Sequence, residues 1–261
     1  MNNKMKIALF LAATMMMGSA NAFAASPSTV PQGKLTAAVT ANSESPPVSV
    51  NDQIDKQAKG LKPGEVMAYY VKDKARNPLD QIFFTGKGFV LNNYNDYLKK
   101  AKETNAPSLA KPNELPEGYT FKDGIVFLKN PEKSSDLYKN LEEELKAEAA
   151  EGGKRVYTKT IKVREAAHSL LKFQKGKATL SIVASYIYPS EPIGGTPVPF
   201  KNPNEKTETV MINGVECTYT ANSKETDHLE WVDEEKQIRY KISAENMKAD
   251  VLAFAEKMLA E

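Results

Sequence analysis

Thr207-Glu208-Thr209-Val210-Met211-Ile212-Asn213-Gly214-Val215-Glu216-Cys217-Thr218-Tyr219-Thr220 is the stretch that decides the fold. Asn-Gly is a strong hairpin signal, because a type I′ turn needs positive φ at both central residues. A two-residue loop at Asn213-Gly214 pairs Ile212 with Val215, Val210 with Cys217 and Glu208 with Tyr219. The other face receives Thr209 beside Thr218 and Thr207 beside Thr220. One face is mainly apolar and the other polar, which supports this register, since a one-residue slip would invert the sorting.

A second hairpin is expected to turn at Asp233-Glu234-Glu235-Lys236. It sets Trp231 opposite Ile238, Leu229 opposite Tyr240, Glu230 opposite Arg239 and His228 opposite Lys241. Residues 156–163 and 178–188 read as strands, the latter with Leu180, Ile182, Ala184, Tyr186 and Tyr188 on one face at period two. Ser243 is the expected cap of a closing helix carrying Met247, Val251, Phe254, Ala255 and Met258 on one side. The expected fold class is therefore α+β, a largely antiparallel twisted sheet of hairpins packed against amphipathic helices, including a C-terminal one.

The earlier half follows the same grammar. A short helix over 51–59 ends at Gly60. A strand covers 66–71, and Ile82-Phe83-Phe84 with Phe89-Val90-Leu91 suggests a hairpin around Gly86-Lys87-Gly88. Asn93 can cap a helix over 94–102. Tyr119-Thr120-Phe121 and Ile125-Val126-Phe127-Leu128 suggest two short strands around a Lys122-Asp123-Gly124 turn. Ser134 or Ser135 caps a helix to Ala150, with Leu137, Leu141 and Leu145 repeating every fourth residue.

The N-terminus carries an address. Lys4 and Lys6 precede an apolar run over 7–17, and Ala22-Phe23-Ala24 is placed for cleavage before Ala25, the layout of a secretory signal peptide. The run is well short of the ~20 residues that span a bilayer. Expected organisation is a signal peptide at 1–24, a flexible lead at 25–50, an α+β segment at 51–109 packing on a main domain, and that α+β domain at 110–261. Lys+Arg number 35 against 33 Asp+Glu, and the excess is Lys4 and Lys6. The mature chain is thus neutral and has no overall basic field for nucleic acid.

Chemistry-bearing residues are few. One cysteine excludes an internal disulfide, and two histidines limit histidine-based catalysis. His228 sits among Glu225, Asp227, Glu230 and Asp233, but strand alternation splits these neighbours between faces and Lys241 opposes a metal there. His168 has no nucleophile elbow near it. Cys217 falls on the apolar face, where a reactive thiol is not expected. Neither Gly86-Lys87-Gly88 nor Gly194-Gly195-Thr196 has the length of a phosphate loop. The remaining feature is the proline-bearing loop over 188–206, longer than the ~12–15 residues usual in compact domains. Tyr188, Val198 and Phe200 are its candidate contact residues. Catalytic residues, cofactors and metal ligands are not expected.

Leu115-Pro116-Glu117-Gly118-Tyr119-Thr120-Phe121, Leu180-Ser181-Ile182, Asn213-Gly214-Val215-Glu216, Leu229-Glu230-Trp231, Arg239-Tyr240-Lys241-Ile242 and the closing helix occur in an order that resembles a domain-of-unknown-function family. That family occurs in exported and membrane-anchored proteins of Gram-positive bacteria, some of them anti-sigma-like. Leu61-Lys62-Pro63-Gly64-Glu65-Val66 resembles the segment that often precedes the domain. The resemblance implies a cell-envelope setting and supplies no catalytic residues. This chain has a leader where such relatives have a transmembrane helix. Three function classes follow: an exported non-enzymatic binding or regulatory module, a carrier or sensor of an apolar ligand held between sheet and helices, and a hydrolase with an unrecognised site. The corresponding partner is an envelope protein or a small apolar ligand, with no integral membrane segment after leader cleavage.

Overall fold

The computed structural model describes residues 49–188, 202–245 and 247–260. The leader, most of the lead, and loop residues Val198 and Phe200 lie outside them. Ser49 accepts a hydrogen bond from the Asp52 amide and opens α1 (Val50–Lys59), so the ordered fold begins within the stretch whose composition reads as flexible. β1 (Glu65–Val71), β2 (Phe83–Gly86), β3 (Phe89–Leu91), α2 (Tyr94–Glu103), β4 (Thr120–Leu128), α3 (Asp136–Glu151) and β5 (Val156–Lys162) follow. The remainder is β6 (Ala166–Lys175), β7 (Ala178–Tyr186), β8 (Glu205–Ile212), β9 (Val215–Asn222), β10 (Asp227–Asp233), β11 (Ile238–Ala244) and α4 (Lys248–Met258). The described residues thus form four helices and eleven strands, an α+β fold.

Two antiparallel sheets organise them. A small one has the order β2-β1-β5, and a large one the order β3-β4-β6-β7-β11-β10-β9-β8. α3 lays Tyr138, Leu141, Leu145 and Ala149 on the small sheet, against Ala68, Ile82 and Tyr157. Leu141 and Leu145 lie on that stripe as expected, while Leu137 is 47% exposed because Tyr138 takes the first buried position. On the large sheet, Leu171, Phe173, Leu180, Ile182, Leu229 and Ile242 are fully buried beneath α4 residues Val251, Phe254 and Ala255. The opposite face of that sheet carries Lys172, Ser181, Ser243 and His228 in register across it.

The β8–β9 hairpin has the expected register throughout, with Asn213 at φ 50° and Gly214 at φ 84°. The next hairpin is shifted by two residues. Trp231 pairs with Tyr240, Leu229 with Ile242 and Glu230 with Lys241. Four loop residues, not two, separate Asp233 from Ile238, because Asp233 accepts from the Lys236 amide and Gln237 takes positive φ. A two-residue shift leaves every side chain on its expected face, so alternation alone cannot detect it.

Three other expectations change. β4 is one strand with a bulge between Phe121 and Asp123, not two strands around a turn. Gly124 sits mid-strand because a Cβ there would lie 2.6 Å from the Tyr97 ring. β2 and β3 do not form a hairpin, since Gly86-Lys87-Gly88 carries the chain from the small sheet to the large one. Ser243 lies within β11, paired with both His228 and Ser181, and α4 begins after Met247 without a side-chain cap.

The topology also accounts for the long loop. β7 and β8 run parallel with β11, β10 and β9 between them, so the chain must cross the sheet and return to its other end. Four strand spacings and seven residues of strand length separate the two ends, roughly 30 Å, or about nine extended residues. Half of the loop's length is therefore set by connectivity.

Gly124 supplies a test of this packing. Gly124→Ala should cost about 1–3 kcal/mol by overpacking against Tyr97. Gly153→Ala, with nothing within 4 Å of the added carbon, should change stability by no more than about 0.5 kcal/mol. Equal urea midpoints for the two variants would refute the Tyr97–Gly124 contact.

Candidate functional site

Tyr188 is the described member of the expected contact loop and is 44% exposed. It follows β7, where the Tyr186 ring lies 6.3 Å away at a steep angle. The Lys129 ammonium sits 4.7 Å from the centre of the Tyr188 ring, a distance at which the ring's negative face attracts a cation. Lys129 also pairs with Glu132 at 2.6 Å, and its amide donates to the Glu165 carbonyl at 2.8 Å. The Glu132 carboxylate holds the Lys129 ammonium above its ordinary pKa, while burial pushes the Tyr188 phenol up.

These contacts flank a groove of about 380 Å³ at the junction of the two sheets. One wall is the segment joining β4 to α3, including Lys129, Pro131 and Glu132. The other is the β5–β6 connection, with Lys162, Val163, Arg164 and Glu165. Ser135 closes one end by capping α3, accepting from the Tyr138 amide and donating to the Glu132 carbonyl. Exposed Leu137 offers an apolar contact on the lining. Among the described residues neither Lys162 nor Arg164 forms an ion pair, so the groove presents two unpaired cations, with the Glu165 carboxylate also on its lining, beside Leu137. Nothing in the sequence marks it, because its two walls lie some thirty residues apart in the chain.

The ionisable residues singled out by sequence are distributed differently. His228 and Glu230 do share the open face of the large sheet, with Nε2 3.7 Å from Oε1. Lys241 lies opposite Glu230, at 2.9 Å, and no longer opposite His228. Asp227 belongs to the other face, accepting from the Tyr219 hydroxyl and the Asn222 amide. Asp233 is used in its turn. His168 lies on the open face of β6, three strands from His228 and about 19 Å from it by strand geometry. Cys217 is 1% exposed on the helix-covered face, and burial raises its thiol. The sheet itself therefore stands between Cys217 and both imidazoles. Among the described residues no three His, Cys, Asp or Glu side chains converge.

The middle of the space between the large sheet and α4 is filled, while open grooves of about 300 and 440 Å³ lie at its margins, one beside Trp231 and Met258 and the other between Ile212 and Leu252. Phe173 and Phe254 lie 5.0 Å apart, and Tyr119 meets Phe254 edge-on at 4.9 Å. Tyr97 is wholly buried, and that burial pushes its phenol up to about 12. No helix among the described residues is long and apolar enough to cross a membrane. No family model, curated protein or solved structure matches the chain.

Burial pushes both imidazoles down, with Lys241 adding to the effect at His228. The unfolded chain then binds protons first as pH falls, so stability declines below the ordinary histidine value near 6.5 and levels off at the lower folded value. His228→Gln should flatten the dependence of the urea midpoint between about pH 7.5 and 5. An unaltered slope would show that folding does not suppress this imidazole's charge.

Proposed function

We propose that the chain is an exported, non-enzymatic binding module of the bacterial cell envelope, and that it engages a protein partner through the groove beside Tyr188. The partner segment would present a carboxylate to Lys162 and Arg164 and an apolar side chain to Leu137. The observation that carries this reading is the exposed Leu137 set beside these two unpaired cations. Leu137 shares the groove lining with Pro131 and Val163, and contiguous apolar surface rimmed by polar groups marks contact sites. The Lys129–Tyr188 stack at the groove also ties it to the loop that sequence singles out. Export is supported by the n-region, apolar run and Ala22-Phe23-Ala24 order. The envelope setting is supported by the ordered motifs from Leu115 to Ile242.

A non-enzymatic role is supported by the separation of Cys217, His168 and His228, since nucleophile and base must come within hydrogen-bond reach. Rings fill the middle of the core, which favours a surface contact over a carrier that encloses an apolar ligand there. The partner reading also fits a groove whose polar groups are side chains on connections, where binding residues commonly sit.

Export is tested by intact mass. The secreted form should begin at Ala25, and a mass that includes residues 1–24 would reject the leader. The groove is tested with a photo-crosslinking residue placed at Leu137 and, as control, at Leu79, which is 75% exposed elsewhere. In intact cells Leu137 should give a discrete adduct that Tyr188→Ala or Arg164→Glu diminishes several-fold, while Leu79 gives none. No adduct at Leu137, or the same adducts from both positions, would remove the groove as the contact surface.

A further inference from the structure

We propose that two copies of the chain associate by pairing β8 with β8 about a two-fold axis through Thr207, forming one continuous sheet across the dimer. This surface is separate from the groove and does not depend on it.

β8 is the outer strand of the large sheet, and Lys206, Thr207, Glu208 and Thr209 are exposed along it. Its two-residue hairpin fixes which backbone groups are free. The pair flanking such a loop, Ile212 with Val215, is hydrogen-bonded, and bonded pairs then recur at every second residue. Val210, Glu208 and Lys206 therefore point their amides and carbonyls at β9, while Met211, Thr209 and Thr207 turn theirs outward; at Glu205 only the carbonyl does so, because its amide closes a turn onto the Asn202 carbonyl. An outward row of donors and acceptors is a template for another strand.

The side chains select the partner and its register. With the axis at Thr207, Thr207 meets its own copy and Glu205 meets Thr209 as bonded pairs. Lys206 then faces Glu208 twice, at the non-bonded positions where cross-strand side chains lie closest, and joins Lys248, which already pairs with Glu208 within its own chain. Met211, 62% exposed, comes opposite exposed Pro203 of the second copy. An axis at Glu208 would instead set two carboxylates against each other. One at Thr209 would place Lys206 against buried Ile212 and form no charge pair. β8 begins at Glu205, whose amide closes a turn onto the Asn202 carbonyl, so the ladder stops there.

The other edges do not offer this. β2 and β3 have four and three residues. β5 carries Lys159 and Lys162 and no acid, so a second copy would meet like charge. One self-complementary edge per chain closes a two-fold pair and leaves nothing to extend it.

The test is sedimentation of the mature chain from about 10 to 500 µM, a range suited to a short strand-pairing interface. Wild type should show a reversible monomer–dimer equilibrium. Lys206→Glu alone and Glu208→Lys alone should each weaken it at least about tenfold, since both cross-strand pairs become repulsive. An equimolar mixture of those two variants should dimerise again, because each contact then joins opposite charges. Thr207→Pro should abolish dimers without unfolding, as its amide does not bond to β9. A wild type that stays monomeric, or a mixture no better than either variant alone, would overturn the proposal.

Discussion

Phe173 is the side chain on which the arrangement depends. It projects from β6, near the middle of the large sheet, with no exposed surface. There it meets Phe254 of α4 at 5.0 Å and Phe121 of β4 at 6.2 Å. Tyr119 closes the cluster on Phe254 and donates from its hydroxyl to Asp250 on the same helix. These rings bind the C-terminal helix to a strand nearly eighty residues earlier and to the entry of β4. Aromatic contacts of this kind carry large buried areas and preferred angles, so they fix orientation as well as adding stability. With α4 and α2 on one face, the other face carries most of the sheet's ionisable groups, among them Lys172, His168, His228 and Glu230, together with an apolar strip of Ile125, Leu170 and Val183.

That division explains how much of the molecule was legible in the sequence. Where alternation is regular and the turn is Asn-Gly, as at β8–β9, both face and register could be read to the residue. At β10–β11 the face could be read and the register could not, because period two repeats after two residues while the four-residue turn depends on Gln237 adopting positive φ. β6 escaped notice altogether, although it is a central strand. Its opening Ala166-Ala167-His168-Ser169 has little β-branched or aromatic content, and its place in the sheet comes from neighbours on both sides. Gly124 was legible as a special residue but not as a contact, since the Tyr97 ring that requires its missing Cβ is remote in sequence.

The candidate site was less legible still. Tyr188 was found by the length of the loop it begins, yet half of that length is needed to carry the chain from the end of β7 to the start of β8. What gives Tyr188 its interest is Lys129, nearly sixty residues away, and the groove that Lys129 helps to form. Leu137 illustrates the same gap. Its spacing with Leu141 and Leu145 suggested a core position, but Tyr138 starts the buried stripe and turns Leu137 outward. Periodicity identifies that a helix has an apolar side, while the neighbouring sheet decides which residues at its margin are covered.

A sheet built this way favours recognition over enclosure. Its central apolar side chains are committed to one face, so a ligand cannot be stored at the middle of that layer without displacing rings such as Phe173 and Phe254. The groups left for other molecules are at the periphery, in the connections between the two sheets and along the outer strand. Charges there are arranged locally, with Lys162 and Arg164 unpaired at the groove and Lys206 and Glu208 two residues apart along β8. With 35 Lys+Arg against 33 Asp+Glu, the chain gains little from long-range steering. Selectivity must then come from short-range matching of charge and shape, which peripheral grooves and edges can supply once a partner is already close, as it would be within an envelope.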